Sequence, residues 1–71
     1  MKVTLQRNVH GNVDILLDKQ FADNTTALEF FATVGENLRK KRFVLKGAFT
    51  EDGRTFQEYL CNRKYYILGE Y

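Results

Sequence analysis

Only one stretch of this chain repeats its apolar residues at helical spacing. Between Thr25 and Lys41, Leu28, Phe31, Val34 and Leu38 recur at three- and four-residue steps, flanked by Ala27 and Phe30. They form one apolar stripe, wide enough to lie on a sheet, and Glu29, Glu36, Asn37, Arg39 and Lys40 fall largely outside it. The rest of the chain mostly alternates apolar and polar residues, the period of half-buried strands. A lone helix with one stripe to bury must cover a sheet. The predicted class is therefore α+β, a single helix packed on an antiparallel sheet.

The predicted order is β-β-α-β-β-β: an N-terminal hairpin, the helix, then a three-stranded meander. Residues 1–71 leave room for one domain and one core. A chain of this size buries only about 60% of its unfolded surface, so modest stability is expected.

Turn chemistry supplies the registers. Val3 and Leu5 alternate with Lys2, Thr4 and Gln6; Val13, Ile15 and Leu17 alternate in the same way. A three-residue loop, Val9-His10-Gly11, would set Leu5 opposite Ile15 and align the apolar faces. Thr26 with Glu29 has the spacing of a capping box, and Asp23 and Asn24 compete for the cap. After the helix, Phe43–Phe49 reads as a strand. Asp52-Gly53 between apolar runs is a strong hairpin signal, since a type I′ turn needs positive φ at both central residues.

That turn pairs Thr50 with Thr55, Phe49 with Phe56, Lys46 with Tyr59 and Leu45 with Leu60. Phe43, Leu45, Phe49, Phe56 and Leu60 then share one face, expected to be the core. Glu58 lands on the same face opposite Gly47, which places it at a sheet margin or beside a bulge. A last turn at Cys61–Lys64 sets Leu60 opposite Tyr65 and Tyr59 opposite Tyr66, with Ile67 on the core face.

Enzyme chemistry has little support in the sequence, and a non-enzymatic role is expected. His10 falls in a predicted turn without a partner, and Cys61 is a single thiol with no second cysteine. No metal-ligand cluster, phosphate-binding glycine loop or nucleophile elbow occurs, so neither metal nor cofactor is expected. No apolar run nears the roughly 20 residues needed to span a bilayer, and the first residues lack the apolar core of a signal peptide. A lone cysteine suits a reducing compartment, and the expected location is cytoplasmic.

Two surfaces remain as candidates for binding. The outer face of the C-terminal meander, by the register above, carries Lys46, Tyr59, Tyr66 and Leu68. Tyrosine anchors there suit a protein partner or a second copy of the chain. Tyrosine also favours strands for purely structural reasons. The alternative is nucleic acid, held by Arg39, Lys40, Lys41 and Arg42 at the helix end with Lys46, Arg63 and Lys64. The charge is uneven in that direction: residues 1–37 hold three bases and five acids, a balance of −2, and residues 38–71 hold eight and four, a balance of +4. Cations at a helix C-terminus also have a plain electrostatic reason to be there.

Overall fold

The structure, a computed structural model, describes all residues from Met1 to Tyr71. In chain order the elements are β1 (Lys2–Val9), β2 (Asn12–Gln20), α1 (Asn24–Lys40), β3 (Val44–Glu51), β4 (Arg54–Cys61) and β5 (Lys64–Glu70). The five strands form one antiparallel sheet in the order β2-β1-β5-β4-β3, so the first strand pairs with the last. The predicted class and element order hold.

Helix α1 starts where its cap allows. Asp23 is the N-cap: its Oδ1 accepts from the Thr26 backbone N–H at 2.8 Å and its Oδ2 from the Thr26 hydroxyl at 3.1 Å. Those two bonds hold the Asp23 carboxyl below its usual pKa. The helix buries Ala27, Phe31, Gly35 and Leu38. The buried stripe is thus rotated from the predicted one, leaving Leu28 exposed.

The helix ends in a Schellman motif. The Phe43 N–H donates to the Leu38 carbonyl and the Arg42 N–H to the Arg39 carbonyl, both at 3.0 Å. Arg42 occupies the left-handed position at φ 70°, where glycine is the usual occupant.

Two registers differ from the sequence reading. The first hairpin has a two-residue loop, with Val9 opposite Asn12 and both His10 (φ 53°) and Gly11 (φ 81°) left-handed. A bulge at Leu16 then brings Leu5 opposite Leu17, but Ile15 and Val13 fall opposite Gln6 and Asn8, so the expected alignment of Val13 and Ile15 with Val3 and Leu5 is not realised. In β3, Lys46 bulges out, and Leu45 pairs with Tyr59 and Val44 with Leu60. The pairings nearest the turns, Phe49 with Phe56 and Tyr59 with Tyr66, match the prediction.

The largest correction is the choice of core face. Residues directly opposite across antiparallel strands share a face. By that rule Val3, Leu5, Tyr66, Leu68, Tyr59 and Leu45 lie on one side, and α1 covers it. Phe49, Phe56, Leu60 and Ile67, predicted as core, lie on the other side, where no element covers them. The buried apolar cluster is Val3, Ala27, Phe31, Leu38, Tyr59 and Leu68, with Phe43 packed at its margin. The physical reason lies in β1. Its odd side carries Val3 and Leu5, its even side Thr4, Gln6 and Asn8, and pairing with β5 joins the apolar side to Tyr66 and Leu68.

Candidate functional site

The residues singled out on the meander do not form an exposed surface. Tyr59 and Leu68 are fully buried beneath α1. Tyr66 is half-buried against the Phe43 ring, at 4.6 Å between centroids. Of that set only Lys46 is exposed, at the bulge. The correction follows from the face: pairing with β1 turns this side inward.

Tyr59 has a structural role. Its Oη accepts from Arg39 Nη1 at 3.1 Å and donates to Gln57 Oε1 at 2.6 Å. A buried phenol needs such partners, since an unpaired one costs about 1–3 kcal/mol. Gly35 makes the fit possible, because a Cβ there would lie 2.8 Å from Tyr59 Oη.

The exposed aromatic surface is instead the helix-free face. Phe49 stacks on Phe56 at 5.0 Å, and Phe56 meets the edge of Tyr71 at 5.7 Å. This row of rings crosses Gly69, where a Cβ would stand 2.9 Å from the Tyr71 ring and 3.0 Å from the Phe56 ring. Two cations flank Tyr71: Lys2 Nζ at 5.4 Å and the Arg54 guanidinium at 4.8 Å from the ring centroid. Further along the face Val44, Val13 and Ile15 are all more than half exposed.

The charges on this face nearly cancel. By register it carries Lys2 and Arg54 against Asp18, Glu51 and Glu58. Lys2 lies 3.9 Å from Asp18. Withdrawal from solvent, and secondarily the neighbouring Glu58, hold the Tyr65 phenol above its usual pKa.

Sequence reasoning missed Phe49, Phe56 and Tyr71 as surface residues. Their alternation was visible, but alternation alone does not say which face a helix will cover.

The cations are a different matter. The chain passes straight from α1 through Lys41–Phe43 into β3, whose Val44 pairs with Leu60. The β4–β5 turn, closed by Cys61 opposite Lys64, therefore lies at the same end of the sheet. Topology thus brings Arg39, Lys40, Lys41 and Arg42 to the end that holds Arg63 and Lys64.

His10 sits in the exposed turn of the first hairpin, and Cys61 is a half-buried free thiol at the end of β4. Asp14 and Asp18, two carboxylates of one strand, face opposite sides because the Leu16 bulge separates them. Asp14 accepts from Arg7 at 2.8 Å, which holds that guanidinium even more firmly protonated.

On the helix side, Glu70 is buried and its Oε2 has no hydrogen-bond partner. The surface has no pocket, and no group of three or more His, Cys, Asp or Glu side chains converges to hold a metal ion. No helix is long and apolar enough to cross a membrane. No protein-family model, no curated protein and no solved structure matches the chain.

Proposed function

We propose that this chain is a non-enzymatic interaction module whose working surface is the helix-free face of the sheet. The observation that carries the reading is the row Phe49–Phe56–Tyr71 with no element over it, on a face that also exposes Val44 at the other end of β3 and Val13 and Ile15 on the far edge strand. A row of uncovered rings on a small protein is the kind of exposed apolar surface that marks a binding site.

The near-balance of charge selects a protein rather than a polyanion. Glu58 stands in the middle of the face, where a phosphate would meet repulsion. Aromatic anchors such as Phe49 and Tyr71, with Arg54 beside them, are the composition of protein–protein contacts.

Size fits as well. Five strands about 4.8 Å apart and roughly 25 Å long give a footprint of about 600 Å². Doubled across two partners, that reaches the lower end of specific interfaces, about 1,200 Å². A second copy of this chain is the simplest occupant, since an almost neutral face does not repel its own copy.

A photo-crosslinking amino acid placed at Phe49 tests this, with the same group at exposed Leu28 on the helix as control. Protein adducts at position 49 and none at position 28 support the reading, and the mass of the adduct separates a second copy from another protein. Equal adducts at both positions, or none at either, overturn it.

A further inference from the structure

The end of the molecule where α1 exits carries far more positive charge than the fold requires. A helix C-terminus holds the equivalent of roughly half a negative charge, which one or two cations match. Arg39, Lys40, Lys41 and Arg42 already exceed that, and the β4–β5 turn adds Arg63 and Lys64 beside them.

The ion pairs of the protein are Lys2–Asp18, Arg7–Asp14 and Lys40–Glu36. Of the cations at this end only Lys40 has a carboxylate within 4.0 Å. The others face solvent with their charge uncompensated.

One of them has its side chain held, and another sits on a constrained backbone. Arg39 donates to the buried Tyr59 hydroxyl at 3.1 Å, which fixes its guanidinium at the helix exit and leaves other N–H donors free. Arg42 is kept at φ 70° in the position a glycine would fill without strain. A strained backbone that retains an arginine is an outlier calling for a functional reason.

We propose that this basic end binds the phosphate backbone of duplex nucleic acid without reading its sequence. Arginines match phosphate geometry through paired N–H donors, and Arg39 is presented in a fixed place by Tyr59. The rings near the cations do not form a stacking row: Tyr59 is buried, Phe43 packs on Tyr66, and Tyr65 lies half-buried on the opposite, helix-free face, so single-strand stacking has no platform here. For the same reason no aromatic anchor is present for a bilayer interface. The cations lie apart from the Phe49–Phe56–Tyr71 row, which sits at the opposite end of the strands, so either proposal can fail without the other.

The test is fluorescence anisotropy with two unrelated short duplexes between about 50 and 200 mM salt, alongside sedimentation with anionic phospholipid vesicles. With four to six phosphates engaged, the log–log salt slope is expected at roughly −3.6 to −5.4, alike for both sequences. The Arg63→Ala, Lys64→Ala double variant should flatten the slope by about 1.8, whereas Arg54→Ala on the helix-free face leaves it unchanged.

Arg42→Gly supplies a readout that a structural role alone would not give. It relieves the left-handed strain, so the melting temperature should rise while duplex affinity falls about fivefold at low salt. No duplex binding at low salt, equal loss in Arg54→Ala, or tighter binding to vesicles than to duplex overturns the proposal.

Discussion

Tyr59 and Phe56 stand three residues apart on β4, on opposite faces of the same sheet, and meet opposite fates. Tyr59 is fully buried beneath α1, its hydroxyl held between Arg39 and Gln57. Phe56 is half-buried, covered only by its neighbours Phe49 and Tyr71. Both faces of this hairpin carry aromatic residues, so apolarity alone does not choose between them. The helix does, and it lands where β1 offers Val3 and Leu5. What differs between the two rings is therefore not their chemistry but which side of a neighbouring strand is apolar.

The largest test of this contrast is Tyr59→Ala. Removing a large, fully buried ring should cost about 3–5 kcal/mol, enough to unfold much of a domain this small. Denaturant unfolding measures it, and a loss below about 1 kcal/mol would place Tyr59 outside the core.

Gly35→Ala comes next. The added methyl would meet Tyr59 Oη at 2.8 Å, and the overpacking cost of about 1–3 kcal/mol is only partly offset by better helix propensity. A stabilised variant in thermal unfolding would show that the helix does not sit so close to the ring.

Phe49→Ala sharpens the contrast from the other side. Phe49 is 40% exposed and gives up mainly its stacking on Phe56, so about 1 kcal/mol or less should be lost. Any self-association through this face should weaken at the same time, as analytical ultracentrifugation would show. A loss as large as that of Tyr59→Ala would mean that the two faces are equally essential to the fold.

The smallest effect concerns Tyr65, which lies on the helix-free face opposite Leu60. Its pKa is raised in the folded state, so the fold favours the neutral phenol. The sign follows: this contribution is complete below the unfolded value near 10 and is lost as pH rises through the higher folded value. Unfolding midpoints of the wild type should therefore fall more steeply above about pH 10 than those of Tyr65→Phe. Parallel curves for the two proteins would remove Tyr65 as the source.

Much of the architecture was legible before the structure, and the errors are informative. The helix, its start near Asp23 and the Asp52-Gly53 hairpin follow from short-range signals: a 3.6-residue stripe, a side-chain cap and a turn that needs positive φ. The expectation that Glu58 lies opposite Gly47 at a margin or beside a bulge also held, because Lys46 bulges there. The candidate surface fared worse. Tyr59 and Leu68 read as outward-facing, because the three phenylalanines of the meander make the other side look like core.

The cations show the opposite case. Arg39–Arg42 were conspicuous as a run, yet their meeting with Arg63 and Lys64 depends on where the chain goes after the helix. Phe49, Phe56 and Tyr71 became a candidate surface only once the covered side was known.

The sequence by itself determined the element order and the pairings closest to the second and third turns, because those depend on residues a few positions apart. The tertiary structure decided that β1 pairs with β5, that Leu16 and Lys46 bulge, and which face of the sheet is covered. The β1–β5 pairing and the covered face compare the apolar area of whole faces across strands more than fifty residues apart in the chain. No local pattern within one hairpin carries that comparison.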